Sequence, residues 1–344
     1  MGAIRAIVAE DSAVTREFLV ALLSTAQGFE VVAAVQDGVE AVKEIERLRP
    51  DVVLMDIHMP RMDGLEATRR IMAVAPTPIV LVTASLGRDE GSSSFEALRA
   101  GALTVVPKPA GPGHPDHARS VQQLVETVRL MSEVKVVGRR PPHERPATVL
   151  PHRARRVRLV ALGASTGGPA ALAEILGGLD DQTCAPILIV QHIAPGFTAG
   201  LVGWLGGETR LAVSLAEDGQ AARPASVYVA PDGLQMGVAA DGRLRLAPGG
   251  PADAFCPSAS RLFESVADAY GASAMGVLLT GMGRDGASGL ARLRASGAVT
   301  VAPDEASSVV FGMPAEAVRL GAAEHVLPPK DIARLILSHT GQTA

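Results

Sequence analysis

The stretch DVVLMDIHMPRMDG, residues 51–64, carries a short unbroken apolar run into a carboxylate at Asp56 and then into a turn built from Pro, Asp and Gly. An apolar run with no polar alternation suits a strand buried on both faces, and such strands belong to parallel sheets covered by helices. Working outward, the same grammar repeats. Strands are expected at Ile4–Ala9, Glu30–Ala34, Asp51–Met55, Ile79–Thr83 and Thr104–Val106. Helical patterns alternate with them near Thr15–Thr25, Gly38–Leu48, Leu65–Val74, Ser93–Ala100 and Ala118–Val134. That succession of βα units predicts a doubly wound parallel sheet.

Residues 135–156, KVVGRRPPHERPATVLPHRARR, are rich in Pro and Arg and have no apolar period, which is linker composition. A second βα series follows, with strands expected at Arg158–Gly163, Pro186–Gln191, Ser226–Ala230, Met275–Thr280 and Ala298–Val301, and helices at Ala170–Leu176 and Ala287–Ser296. Leu234–Leu246 alternates around Asp241-Gly242, a hairpin signal. The expected fold class is therefore α/β, two doubly wound parallel-sheet domains at 1–134 and 157–344 joined by the linker, the second with an antiparallel hairpin.

Composition agrees with two domains. A chain of 344 residues, 47% hydrophobic and 3% aromatic, is long enough to bury two cores. The net charge of −4 and the confinement of basic clusters to the linker argue against nucleic acid as a partner. No apolar run approaches the roughly 18 residues of a membrane span. Cys184 and Cys256 form no CxxC pair and read as buried, reduced thiols. A cytoplasmic, monomeric protein without membrane insertion is expected.

The strand ends carry the chemistry. In the first domain Glu10, Asp11 and Asp56 emerge at the carboxyl edge, where open parallel sheets bind ligands, and Thr83 and Lys108 reach the same rim. Hard carboxylate ligands suit Mg²⁺, and carboxylates, hydroxyl and lysine together form a phosphoryl-transfer constellation: Asp56 attacks phosphorus and Lys108 holds an equatorial oxygen. Singly, each acid also reads as a cap or a solvated loop residue.

In the second domain, Gly163-x-Ser165-x-Gly167 fits a nucleophile elbow, although a Gly-Ser-Gly turn also builds phosphate cradles and plain connections. His192 ends the next strand, and Asp285 lies on a tight turn after MGVLLT. Alone, His192 reads as a structural histidine and Asp285 as a helix N-cap. Together with Ser165 they converge as a Ser-His-Asp triad requires. The order differs from serine, acid, histidine in ordinary α/β-hydrolases; His325 would restore that order but reads as an exposed or capping residue.

The motifs AED (9–11), LMDIHMPRMDG (54–64), VTAS (82–85) and PKP (107–109) resemble response-regulator receiver domains, which are flavodoxin-like. GASTGGPAAL (163–172), QHIAPGFT (191–198), LLTGMGRDGASGL (278–290) and DEASSVVFGMP (304–314) resemble the catalytic domain of chemotaxis protein-glutamate methylesterases. The first resemblance implies Asp56 as phosphoacceptor, Glu10, Asp11 and Asp56 as Mg²⁺ ligands, and Thr83 and Lys108 as switch residues. The second implies Ser165 as nucleophile, His192 as base and Asp285 as its orienting acid, with backbone N–H groups near Thr166 and Met282 for the oxyanion and substrate, and no cofactor in this domain.

Implied partners are a chemotaxis histidine kinase and methyl-accepting chemoreceptors, with the unphosphorylated receiver covering the hydrolase cleft. Departures from the family patterns are Glu10 for Asp, Val105 for an aromatic, Gln235 for His, Phe255-Cys256-Pro257-Ser258 for Arg-Pro-Ser, and Pro303 for Gln. Other readings are a non-catalytic phosphorylation-responsive binding module, a transcriptional regulator, which lacks a basic helix-turn-helix here, and a hydrolase acting on receptor glutamines or on a methylated partner outside chemotaxis.

Overall fold

A computed structural model describes residues 2–83, 95–134, 136, 156–180, 185–251 and 253–341. The chain divides into two compact units, 1–147 and 148–344. The expected strand pattern forms in both.

The N-terminal unit runs β1 (Ile4–Ala9), α1 (Ala13–Thr25), β2 (Phe29–Val35), α2 (Gly38–Leu48), β3 (Val52–Asp56), α3 (Gly64–Val74), β4 (Ile79–Thr83), helical residues 95–100 as α4, β5 (Thr104–Pro107) and α5 (His117–Ser132). The strands pair in parallel in the order β2-β1-β3-β4-β5. β3 and β4 are buried along their whole length, as their unbroken apolar runs require. Helix starts follow polar caps: Ser12 accepts from the Thr15 N–H, Asp37 from Val39 and Glu40, and Asp63 from Glu66.

The C-terminal unit contains β6 (Leu159–Ala164), α6 (Gly168–Gly177), β7 (Ile187–Gln191), α7 (Thr198–Glu208), β8 (Ala212–Leu215), β9 (Ser226–Val229), β10 (Leu234–Val238), β11 (Leu244–Pro248) and α8 (Ala259–Tyr270). It ends with β12 (Ala274–Leu278), α9 (Ala287–Ala295), β13 (Val299–Ala302), α10 (Met313–Arg319), β14 (His325–Val326) and α11 (Pro329–Thr340). Seven strands form one parallel sheet in the order β14-β13-β12-β6-β7-β9-β8, and β10 and β11 make a separate antiparallel pair. Met236, Val238 and Leu244 of that hairpin share a core with Leu262, Phe263 and Val266 of α8.

The chain leaves β6 towards β7 on one side and returns on the other side through β12, so the strand order reverses at β6. In the N-terminal unit the reversal falls at β1, between β2 and β3. The carboxyl ends at these switch points open crevices because successive crossovers depart to opposite sides.

One expectation is corrected. Cys256 is half-buried, because the loop before α8 holds it near the surface and not among the strands. Cys184 lies outside the described residues, as do Ala84 and Ser85 of the VTAS motif and nearly all of 135–156. No helix among the described residues is long and apolar enough to cross a membrane.

Candidate functional site

In the N-terminal unit the ladder register gathers the rim. Ala9 pairs with Met55, Asp56 with Val82, and Thr83 with Pro107. Glu10, Asp56, Thr83 and Lys108 therefore follow or end neighbouring strands at one edge. Oxygens of Glu10, Asp11 and Asp56 lie within 4.8 Å of one another. Glu10 and Asp56 are buried, Asp11 is exposed, and Thr83 is 1% exposed. Lys108 Nζ reaches 2.8 Å from Glu10 Oε2 and 2.9 Å from Asp56 Oδ2. The other Asp56 oxygen, Oδ1, accepts from the Ile57 N–H at 2.8 Å.

Burial raises the Glu10 carboxyl above its ordinary range, with the Asp56 charge adding to the rise and Lys108 opposing it. Burial also works against the Lys108 charge, but hydrogen bonds to Glu10 and Asp56 prevail and hold the ammonium above its ordinary value. The residues fit a hard divalent cation: three carboxylates converge, and Glu10 Oε2 is buried without an aligned hydrogen bond. Val105 on β5 is buried.

In the C-terminal unit Ser165 follows β6, His192 follows β7, and Asp285 lies in the loop between β12 and α9. The sharp turn after Ser165 depends on Gly167, whose φ of +77° is a left-handed conformation and whose Cβ would strike Val309 at 2.5 Å. Close approach from the neighbouring loop depends on Gly281, where a Cβ would come within 2.6 Å of the Ser165 Cβ. Thr166 sits in the elbow, its carbonyl accepting from Thr280 Oγ1 at 2.9 Å, and Met282 follows Gly281.

Ser165 and His192 are tied together by Gln191. Its amide Nε2 donates at 2.8 Å to the Ser165 carbonyl and at 2.8 Å to the His192 carbonyl, and the residue is 4% exposed. The His192 N–H adds a bond to the Ala164 carbonyl at 2.8 Å. Among the described residues the Ser165 hydroxyl makes no hydrogen bond with His192 in this resting geometry, so backbone contacts hold the two residues beside each other.

His192 Nε2 lies 2.9 Å from Asp285 Oδ2, a close ion-pair approach in which Nε2 is buried and has no aligned hydrogen bond. Asp285 does not cap α9, which follows it. Instead its oxygens accept from Ser258 Oγ at 2.8 Å, the Ala259 N–H at 2.7 Å and the Ser260 N–H at 3.2 Å, at the start of α8. Burial would raise this carboxyl, but His192 and the Ser258 and Ala259 donors outweigh it and hold Asp285 well below the usual carboxylate range.

His325 lies on β14, where it pairs with Val301 of β13, and β13 and β12 separate that strand from β6. Sequence reasoning missed the anchoring roles of Gln191, Ser258 and Thr280. Ser258 carried a usable signal, a polar cap directly ahead of a helical apolar pattern; the amide bridge of Gln191 had none.

Fold and rims together describe a signalling receiver joined to an α/β hydrolase-type unit. Residues 160–336 match the family model of the CheB methylesterase, and residues 6–117 match that of the response regulator receiver domain. The chain is 49% identical over 341 residues to a protein-glutamate methylesterase/protein-glutamine glutaminase of Geobacter metallireducens, covering 97% of this chain and 98% of the relative. A Hahella chejuensis protein of the same name is 48% identical over 338 residues, covering 96% and 97% respectively. The crystal structure of the Thermotoga maritima CheB methylesterase catalytic domain is similar at 36% identity and a TM-score of 0.50, covering 52% of this chain and 97% of that one. The chain belongs to the CheB methylesterase family, a family of chemotaxis enzymes, and carries a response regulator receiver domain ahead of the enzyme domain.

Proposed function

We propose that this protein hydrolyses γ-methyl esters of glutamate side chains on methyl-accepting chemoreceptors, and that phosphorylation of Asp56 by a chemotaxis histidine kinase controls the rate. The observation that carries the reading is the edge of His192 against the buried, ionised Asp285, with Ser165 fastened to the same histidine through Gln191. Residues 135–156 act as the linker between domains at 1–134 and 157–344.

With Asp285 beside Nε2, His192 presents Nδ1 as the basic nitrogen, the reverse of the usage in chymotrypsin-type triads. Nδ1 takes the proton from Ser165 Oγ, and Oγ attacks the ester carbonyl. The tetrahedral oxyanion receives N–H groups near Thr166 and Met282. Collapse breaks the bond to the methoxy oxygen, which leaves as methanol with the proton from His192. Water then repeats the sequence on the acyl-enzyme, releasing the glutamate carboxylate and restoring Ser165. An amide follows the same path with ammonia as leaving group, and the relatives' double name favours glutamine deamidation as a second activity.

In the receiver, an Asp56 oxygen attacks the phosphorus of the phosphohistidine, the P–N bond breaks so that the kinase imidazole leaves, and Lys108 is placed to hold an equatorial oxygen of the acyl phosphate formed. Glu10, Asp11 and Asp56 would hold Mg²⁺, which when bound supplies charge neutralisation at the phosphoryl group. Thr83 responds to the new phosphoryl group as the switch hydroxyl.

The test is methanol release from methylated chemoreceptor membranes, with and without a small phosphodonor and Mg²⁺. Phosphodonor-stimulated release in wild type, absent in Ser165→Ala and unstimulated in Asp56→Ala, is the expected result. Release that survives in Ser165→Ala overturns the nucleophile, and equal stimulation of Asp56→Ala overturns the control.

A further inference from the structure

The contact with Asp285 holds His192 by one atom of its edge, and that contact is close but not aligned. A single edge contact does not by itself fix the rotation of the ring about its Cβ–Cγ bond, nor therefore where its other nitrogen points. Phe255 lies against the face of that ring. Its ring lies on the imidazole with centroids 4.7 Å apart and planes inclined by 4°. Phe255 is 44% exposed, so core packing does not explain its position.

The backbone beneath Phe255 is pinned. Gln235 Nε2 donates to the Phe255 carbonyl at 2.7 Å and to Asp253 Oδ2 at 3.1 Å, while Gln235 Oε1 accepts from the Ser258 N–H at 2.8 Å. Arg261 Nε secures Asp253 from the other side at 2.9 Å. The segment that delivers Phe255 to the face of His192 thus also delivers Ser258 and Ala259 to Asp285, the partner of its edge.

We propose that Phe255 is a positioning residue for His192, fixing by flat stacking the ring plane that the acid contact leaves free. The inference rests on the Ser165–His192 hydrolase reading. Stacked rings prefer such offset parallel contact, and a preoriented base avoids reorganisation at the moment of proton transfer. The covered face also loses its water.

The experiment uses the full-length protein as wild type, Phe255→Leu and Phe255→Tyr. Two readouts are taken: kcat and KM for phosphodonor-stimulated methanol release, and NMR of ¹³C-histidine-labelled protein with His192 assigned by its loss in His192→Asn. In wild type the His192 ring protons are expected upfield, shifted by the Phe255 ring current. Phe255→Leu should lose that shift and lower kcat about 10- to 100-fold with KM within about twofold, and Phe255→Tyr should restore both. A change in KM alone would make Phe255 a substrate contact and overturn the proposal, as would an unchanged kcat in Phe255→Leu. Absence of the upfield shift in wild type overturns it independently of turnover, whereas loss of Ser165-dependent release alone strikes the hydrolase reading.

Discussion

At the edge of the N-terminal sheet a lysine is surrounded by acids: Lys108 sits between Glu10 and Asp56, burial raises the Glu10 carboxyl, and the two acids hold the ammonium above its ordinary value against burial. At the edge of the C-terminal sheet a single acid is surrounded by donors: Asp285 takes a hydroxyl, two helix-terminal N–H groups and an imidazole, and its carboxyl is depressed. Both edges are switch points of parallel sheets. The contrast shows that the fold supplies a crevice, while the balance of donors to carboxylates decides its chemistry. Excess carboxylate invites a cation and a phosphoryl group; excess donor keeps one carboxylate ionised beside a base.

The largest expected effect is at the proposed nucleophile. Ser165→Ala should reduce kcat for methanol release by roughly a million-fold, while phosphodonor-dependent labelling of Asp56 stays intact. Loss of both together would contradict the separate chemistry of the two edges.

Asp285→Asn should lower kcat roughly 1,000- to 10,000-fold. Because the folded carboxyl is depressed, its contribution to stability is present above the unfolded value of about 3.9 and is lost as pH falls towards the folded value. Urea titrations of wild type and Asp285→Asn should therefore differ at pH 7 and converge below about pH 4. A gap that persists in acid would remove the electrostatic account.

Gln191→Leu deletes both donors of the bridge between Ser165 and His192 and should lower kcat about 10- to 100-fold, with folded-state stability down by about 1–3 kcal/mol. Steady-state kinetics and thermal unfolding read the two effects; intact kcat would show that strand register alone holds the pair.

The smallest effect is expected at the acidic edge. Lys108→Ala leaves Glu10 and Asp56 facing each other and should cost about 1–2 kcal/mol in EDTA, a loss that millimolar Mg²⁺ offsets more strongly than in wild type. Equal Mg²⁺ responses of the two proteins in calorimetry would mean that the acids do not share the ion.

Much of this architecture was legible because fully buried parallel strands read as apolar runs, and their first polar residue marks the functional edge. That pattern places Glu10, Asp56, Ser165 and His192 at strand ends, where the structure also has them. α7 went unread because Thr198–Glu208, TAGLVGWLGGE, is rich in glycine and has no one-sided apolar period. The two-residue β14 is too short to signal.

By itself the sequence determined the two parallel-sheet domains and the residues at their rims, since burial on both faces imposes a composition that survives as a one-dimensional pattern. Only the tertiary structure decided that Asp285 anchors on α8, that Gln191 bridges Ser165 and His192, and that Phe255 lies on the imidazole. These contacts join segments distant in the chain or turn on side-chain direction, and no local period records which nitrogen or which ring face will be met when the strands come together.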